Sequence, residues 1–277
     1  MIQIYNESCL ETVQKLSENS VDIVVTSPFY NTIRKTSAVR SVVNAVGNDR
    51  YDSRYDVHVD NMSNDEYCNF TLELFNRLDK VLIPNGVILY NLSYGVENTT
   101  CMIEAVYKII METNFTLADI IIWKKKSALP NNVSTNRLTR AVEFIYVFCR
   151  KGESQTFNCN KQLTGFSSTG QAYYENLTNF VVANNNDEPC PLNKATFSTD
   201  LVKKLLAMYC NKKKVTVYDP FMGTGTTAVA CKELGYDCIG SEISEKQVEW
   251  ANNRLNKTAF IDTSIPQKNN LWGEITK

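Results

Sequence analysis

Short apolar runs alternate along this chain with longer amphipathic stretches. Val21-Asp22-Ile23-Val24-Val25 is a β-branched run ending at Thr26, the pattern of a buried parallel strand. From Asp65 to Val81, apolar residues recur at helical spacing (Tyr67, Phe70, Leu74, Leu78). The turn Pro84-Asn85-Gly86 then leads into the strand Val87-Ile88-Leu89-Tyr90. Thr99 to Thr113 predicts a helix, Leu117 to Trp123 a buried strand, and Ala141 to Cys149 another. Further on come a helix from Thr199 to Cys210, a strand from Val215 to Tyr218, a helix from Thr226 to Leu234 and the strand Cys238-Ile239-Gly240. Strands alternating with helices predict a doubly wound α/β sheet, and there is no internal repeat.

Three segments break the pattern. Residues 31–64 are polar, interrupted by Gly47, and carry Arg34, Lys35, Arg40, Arg50 and Arg54; they predict a long mobile loop, the kind that serves as a lid or binding loop. Residues 124–140 are basic and polar. Residues 152–193 are rich in Asn, Ser, Thr and Gly, with Phe157, Phe166, Tyr173, Tyr174 and Phe180 interspersed, and predict an insert. The expected organisation is a first catalytic part over 1–151, the insert over 152–193, and a second part over 194–277.

Composition narrows the function. With 277 residues and 43% hydrophobic content, a sizeable core can form. A formal net charge of −1 excludes a uniformly basic nucleic-acid coat but leaves room for a basic cleft. The 9 cysteines include no Cys-x-x-Cys pair and His58 is the only histidine, so no metal centre is expected. The N-terminus does not read as a signal peptide and no apolar run is long enough for a bilayer; reduced cysteines in the cytosol and no membrane association are expected.

Two motifs carry the chemistry. Asp219-Pro220-Phe221-Met222-Gly223-Thr224-Gly225-Thr226-Thr227 follows a strand, and its glycines let backbone pass close to a ligand before a helix begins. Glu242, at the end of the next strand, stands about 20 residues on, where an acid can hydrogen-bond ribose hydroxyls. No Lys follows the glycines and no third glycine completes a dinucleotide spacing, so a nucleoside cofactor without phosphates fits better. The second motif, Ser27-Pro28-Phe29-Tyr30 after Thr26, can hold an amino group at the end of a strand.

The long motif resembles the S-adenosyl-L-methionine-binding motif of DNA amino-methyltransferases, and Ser27-Pro28-Phe29-Tyr30 resembles their catalytic motif, with Phe29 where a second proline is usual. Catalytic motif first, then variable segment, then cofactor motif is the β-class order. The resemblance covers most of the chain: residues 78–87, 121–124 and 143–148 resemble core segments, and 193–201 resembles the segment that lines the cofactor pocket, with Asn193-Lys194 where His-Pro is common.

The resemblance implies a Rossmann-like methyltransferase sheet with a short target-recognition insert. It implies S-adenosyl-L-methionine contacts from Thr26, Lys194, Thr196, Phe197, Ser198, Asp219, Pro220, Phe221, Gly223, Gly225, Thr226, Thr227, Glu242 and Ile243. It makes double-stranded DNA with a short specific site the substrate, with a flipped base as the acceptor. Arg34, Lys35, Arg40, Arg50, Arg54, Lys124, Lys125, Arg137 and Arg140 become candidate phosphate contacts. Ser27 favours cytosine N4, with adenine N6 and a catalytically silent DNA-binding protein as alternatives; a homodimer and a cognate restriction enzyme stay open as partners. The Pro-Cys nucleophile of cytosine-C5 enzymes has a counterpart in Pro189-Cys190, but no apolar strand leads to it and it reads as an incidental loop cysteine.

Overall fold

The structure, a computed structural model, describes residues 1–31, 62–93, 99–128, 130, 132, 135–136, 138–193 and 195–258. Arg34, Lys35, Arg40, Arg50, Arg54, Arg137 and Lys194, and nearly all of the expected loop 31–64, lie outside the described residues.

In chain order the elements are β1 (Ile2–Tyr5), α1 (Cys9–Lys15), β2 (Val21–Thr26), α2 (Asn64–Val81), β3 (Leu82–Leu92), α3 (Thr99–Glu112), β4 (Phe115–Lys125), β5 (Val142–Arg150), β6 (Leu163–Phe166), β7 (Ala172–Tyr174), β8 (Phe180–Ala183), α4 (Thr199–Tyr209), β9 (Thr216–Asp219), α5 (Thr226–Leu234), β10 (Asp237–Ser241) and α6 (Glu245–Lys257). Serines begin four of the helices. Ser8 with Glu11 and Ser63 with Glu66 form capping boxes on α1 and α2, and the Ser198 and Ser244 side chains accept from Leu201 N and Gln247 N.

Eight strands form one sheet in the order β1-β10-β9-β2-β3-β5-β4-β8, and β5 alone runs against its neighbours. The central strands β2 and β3 are buried on both faces because helices cover both. Ile23, Val25, Val87, Leu89, Ile145, Val147 and Val217 pack with α4 and α5 on one side. Val21, Val24, Ile88, Tyr90, Phe148 and Tyr218 pack with α1, α2 and α3 on the other. From β2 the chain continues to β3 on one side of the sheet, and from β9 to β10 on the other. The adjacent β2 and β9 therefore mark the topological switch point, where a crevice opens at the carboxyl ends of the strands.

Three departures from the sequence reading have local causes. The expected turn at Pro84-Asn85-Gly86 is a bulge inside β3: Val21 pairs with Leu82 but Ile23 with Val87, and Asn85 takes φ 60°. β1, α1 and α6 were not predicted; they are short or, like α6, bury little beyond Gln247, Ala251 and Leu255. The segment 152–193 also divides. β6 and β7 make a separate hairpin, whereas β8 joins the main sheet parallel to β4, burying Val181 and Ala183. Four residues in an Asn-rich context were too short a run to mark a strand.

The Phe75 ring meets Tyr90, Phe115 and Phe148 edge-on at 5.2–5.7 Å, and Phe75 is fully buried. Phe75→Ala is expected to lower unfolding stability by about 3–5 kcal/mol, read by denaturant titration; a loss under 1 kcal/mol would show that α2 is not anchored there.

Candidate active site

The switch point brings together the two motifs, almost 200 residues apart. β2 pairs with β9 through Ile23 with Val217 and Val24 with Tyr218, so both strands end side by side. At that junction Thr26 Oγ1 donates to Asp219 Oδ1 at 2.6 Å, Thr227 Oγ1 donates to Asp219 Oδ2 at 2.6 Å, and the Phe221 amide donates to Oδ1 at 3.0 Å. Asp219 is 1% exposed. Thr26, Asp219 and Thr227 thus stand behind the site and lock the turn; Ser198, fully buried, caps α4 and donates to Asn184 O at 2.8 Å.

In front of this lock a cavity opens. Among its lining residues are Ser27 and Phe29 after β2, Thr196 and Phe197 before α4, Pro220, Phe221, Gly223 and Thr226 from the turn, and Glu242 and Ile243 after β10. The Glu242 carboxylate is fixed by two amides: Gly223 N donates to Oε2 and Ser244 N to Oε1, each at 2.8 Å. An oriented acid on an otherwise largely apolar wall suits the sugar hydroxyls of a nucleoside. Gly223 and Gly225 have φ of 54° and 83°, a region strained for other residues. A Cβ on Gly225 would lie 2.5 Å from Ala251 Cβ, so this glycine serves the packing of α6, while one on Gly223 would lie 3.1 Å from Asn193 Nδ2. Arg254 braces the same turn, donating to Thr226 Oγ1 at 3.0 Å and to Asp187 Oδ2 at 2.7 Å.

Phe29, where a second proline was expected, joins an aromatic wall. Its ring centroid lies 5.2 Å from Tyr67, 5.8 Å from Phe70 and 5.9 Å from Phe221, and its carbonyl accepts from Tyr67 Oη at 3.0 Å. Packing and one hydrogen bond therefore fix this backbone. Next to it, Ser27 Oγ is 3.0 Å from Tyr30 Oη, and Asn91 Nδ2 donates to Ser27 Oγ at 3.3 Å, to Tyr30 Oη at 3.2 Å and to Glu143 Oε2 at 3.0 Å. Lys125 Nζ donates to Glu143 Oε1 at 2.5 Å and lies 5.2 Å over the Trp123 ring. Lys125 thus belongs to the site's polar network, whereas Lys124 is exposed and Arg140 half-buried.

Sequence reasoning missed Glu7, Ser8 and Cys9 in the cavity wall, and Asn91 and Glu143 beside Ser27. Glu143 left a signal: an acid leading into the apolar run Phe144 to Phe148. Cys190 is 7% exposed between β8 and α4 and is not among the residues lining the cavity.

A pocket at a switch point that carries an oriented acid, beside a strand end that can hold an amino group, is the arrangement of a Rossmann-like group-transfer enzyme. Comparison narrows the class. A sequence profile described as "DNA methylase", for the N6/N4 methylases, matches residues 21–253. The type II methyltransferase M.HpaI of Haemophilus parainfluenzae is 24% identical over 261 residues, spanning 90% of this chain and 72% of the relative. Among solved structures, PvuII DNA methyltransferase (cytosine-N4-specific) superposes with TM-score 0.66 at 19% identity, covering 95% of this chain and 88% of its own. M1.HpyAVI in complex with SAM follows at TM-score 0.60 and 23% identity, covering 92% and 100%. The chain belongs to the N6/N4 DNA methylase family, enzymes that use S-adenosylmethionine.

Burial pushes the Asp219 carboxyl up to about 6 from an ordinary 3.8, against the Thr227, Thr26 and Phe221 hydrogen bonds that lower it. The folded protein then binds an extra proton between these values. This group's contribution to stability is greatest at the acidic end and falls by about 3 kcal/mol as pH rises through the window. Asp219→Asn is expected to remove that component, so that the stability difference between variant and wild type shifts in the variant's favour from pH 4 to pH 6.5 in urea titrations. A pH-independent difference would contradict the raised value.

Proposed function

We propose that this enzyme methylates an exocyclic amino nitrogen, cytosine N4, of a base flipped out of double-stranded DNA at a short specific site. The observation that carries the reading is that Ser27 and Phe29 line the same cavity as Gly223 and Glu242, so acceptor and donor positions share one space. When bound, S-adenosylmethionine supplies an electrophilic methyl group.

The protein's residues position the rest. Glu242, held in place by the Gly223 amide, binds the nucleoside end, and Phe29, Phe197 and Phe221 supply apolar walls. Ser27 Oγ and the Pro28 carbonyl accept the two amino hydrogens, which favours a pyramidal nitrogen with its lone pair aimed at the methyl. Tyr30 stacks on the extrahelical base, an interaction worth roughly 1–3 kcal/mol. Catalysis is then mainly orientation and electrostatic placement, with no covalent link to the enzyme. Lys124 and Arg140, together with the basic residues of 32–61 and Arg137, serve as phosphate contacts, and the hairpin segment within 152–193 takes the target-recognition role. Ser27 at the head of the motif favours cytosine. Homodimerisation and a cognate restriction enzyme are compatible with this reading.

Nucleoside mass spectrometry of DNA incubated with enzyme and cofactor is expected to yield N4-methylcytosine. N6-methyladenine would reverse the base assignment, and no methylated nucleoside with cofactor still bound would mark a silent DNA-binding protein. Ser27→Ala is expected to lower kcat with cofactor affinity nearly unchanged. Glu242→Ala should weaken cofactor binding by about 1–3 kcal/mol in calorimetry. Unchanged affinity in the Glu242 variant would move the cofactor elsewhere.

A further inference from the structure

A carboxylate closes the hydrogen-bonded chain that starts at Ser27. Ser27 Oγ and Tyr30 Oη are 3.0 Å apart and either can be the donor; Tyr30 Oη donates to Glu143 Oε2 at 3.4 Å. Glu143 is 8% exposed, at the start of β5, and its bonded partners are Tyr30, Asn91 and Lys125. Asn91, 4% exposed, donates through one amide nitrogen to all three oxygens of the chain, at 3.0–3.3 Å. Its own Oδ1 is buried without a hydrogen-bond partner. A neutral amide can orient these hydroxyls but accepts no proton at the nitrogen that touches them. In this network the group that can end the relay with a captured proton is Glu143, and Lys125 compensates its negative charge while it waits.

We propose that Glu143 is the terminal proton acceptor of methyl transfer, acting through the Tyr30 and Ser27 hydroxyls. The inference rests on the methyltransferase reading above. The amino nitrogen forms a bond to the methyl carbon as the carbon–sulfur bond breaks, with that electron pair remaining on sulfur. The nitrogen then carries a positive charge and one proton in excess. That proton passes to Ser27 Oγ, the Ser27 hydroxyl proton passes to Tyr30 Oη, and the Tyr30 proton passes to Glu143 Oε2. Both hydroxyls are regenerated, and the neutral carboxyl later returns its proton to solvent. Before transfer, the same carboxylate favours the positive charge growing on nitrogen through the two intervening hydroxyls. Glu143 is a positioning and relay residue under this scheme, because two hydroxyls stand between it and the substrate.

The test uses full-length enzyme, labelled S-adenosylmethionine and methylatable DNA in single turnover, so that product release does not mask the chemical step. Glu143→Gln keeps the side chain's shape and can still bond Tyr30 and Asn91, but cannot take a proton. It should slow methyl transfer by about 10²-fold or more with cofactor and DNA affinity within about twofold of wild type. Tyr30→Phe keeps the stacking ring and removes the bridge; the Tyr30→Phe, Glu143→Gln double variant should be no slower than the slower single one, because both cut one relay. Glu143→Asp should recover part of the rate. An active wild type with an unimpaired Glu143→Gln variant, or multiplicative defects in the double variant, would each overturn the relay. Absence of methyl transfer by the wild type on any DNA would instead remove the reading on which it rests.

Discussion

One buried carboxylate sets the geometry of this enzyme. Asp219 lies where β2 and β9 end together, and its oxygens take hydrogen bonds from Thr26, Thr227 and the Phe221 amide. An ionised carboxylate out of water is costly unless its lone pairs are satisfied, so the arrangement of donors around it is strongly specified. Thr26 leads directly into Ser27, and Thr227 lies in the first turn of α5. Holding both at one carboxylate fixes the separation between the amino-holding motif and the cofactor turn. Much of the cavity geometry follows, from the Glu242 acid pinned by Gly223 to the Phe29–Phe221 contact.

Around that joint the molecule separates positioning from chemistry. The core strands are apolar and the functional side chains sit at strand ends, where the chain leaves the sheet. Ser27 and Tyr30 follow β2, Asn91 is the penultimate residue of β3, Lys125 closes β4, Glu143 lies near the start of β5, and Glu242 follows β10. Because β5 runs against its neighbours, its beginning lies at the same edge as the ends of β3 and β4. That reversal brings Glu143 to the catalytic edge; a parallel strand would place its first residues at the opposite end. Phe29 shows the complementary economy: its ring closes the aromatic wall, and its carbonyl is held by Tyr67.

How much of this was legible in the sequence depends on the range of the interactions involved. The β-branched run before Thr26, the heptad-like spacing in α2 and the glycine turn before α5 are local signals, and each predicted its element to within a few residues at most ends. The cofactor turn and the Ser27 motif could be read because each needs several chemically constrained residues in a row. β8 could not: four residues with little periodicity become a strand because β4 offers an edge, and that edge is a tertiary fact. The same holds for α6, whose narrow apolar face is defined by what Gly225 and its neighbours leave open.

By itself, then, the sequence determined the class of fold, the two motifs, their order and the nucleoside character of the pocket, because these reside in short contiguous patterns of hydrophobicity, glycine and polar side chains. Tertiary structure decided which polar residues meet. Asn91, Lys125 and Glu143 come from three different strands and assemble with Ser27 and Tyr30 only through strand order and the direction of β5. Lys125 reads in sequence as one more basic loop residue; its 2.5 Å ion pair with a buried acid makes it part of the site. The physical reason is that hydrogen bonds and ion pairs act over a few ångströms in space, while the sequence records only neighbours along the chain.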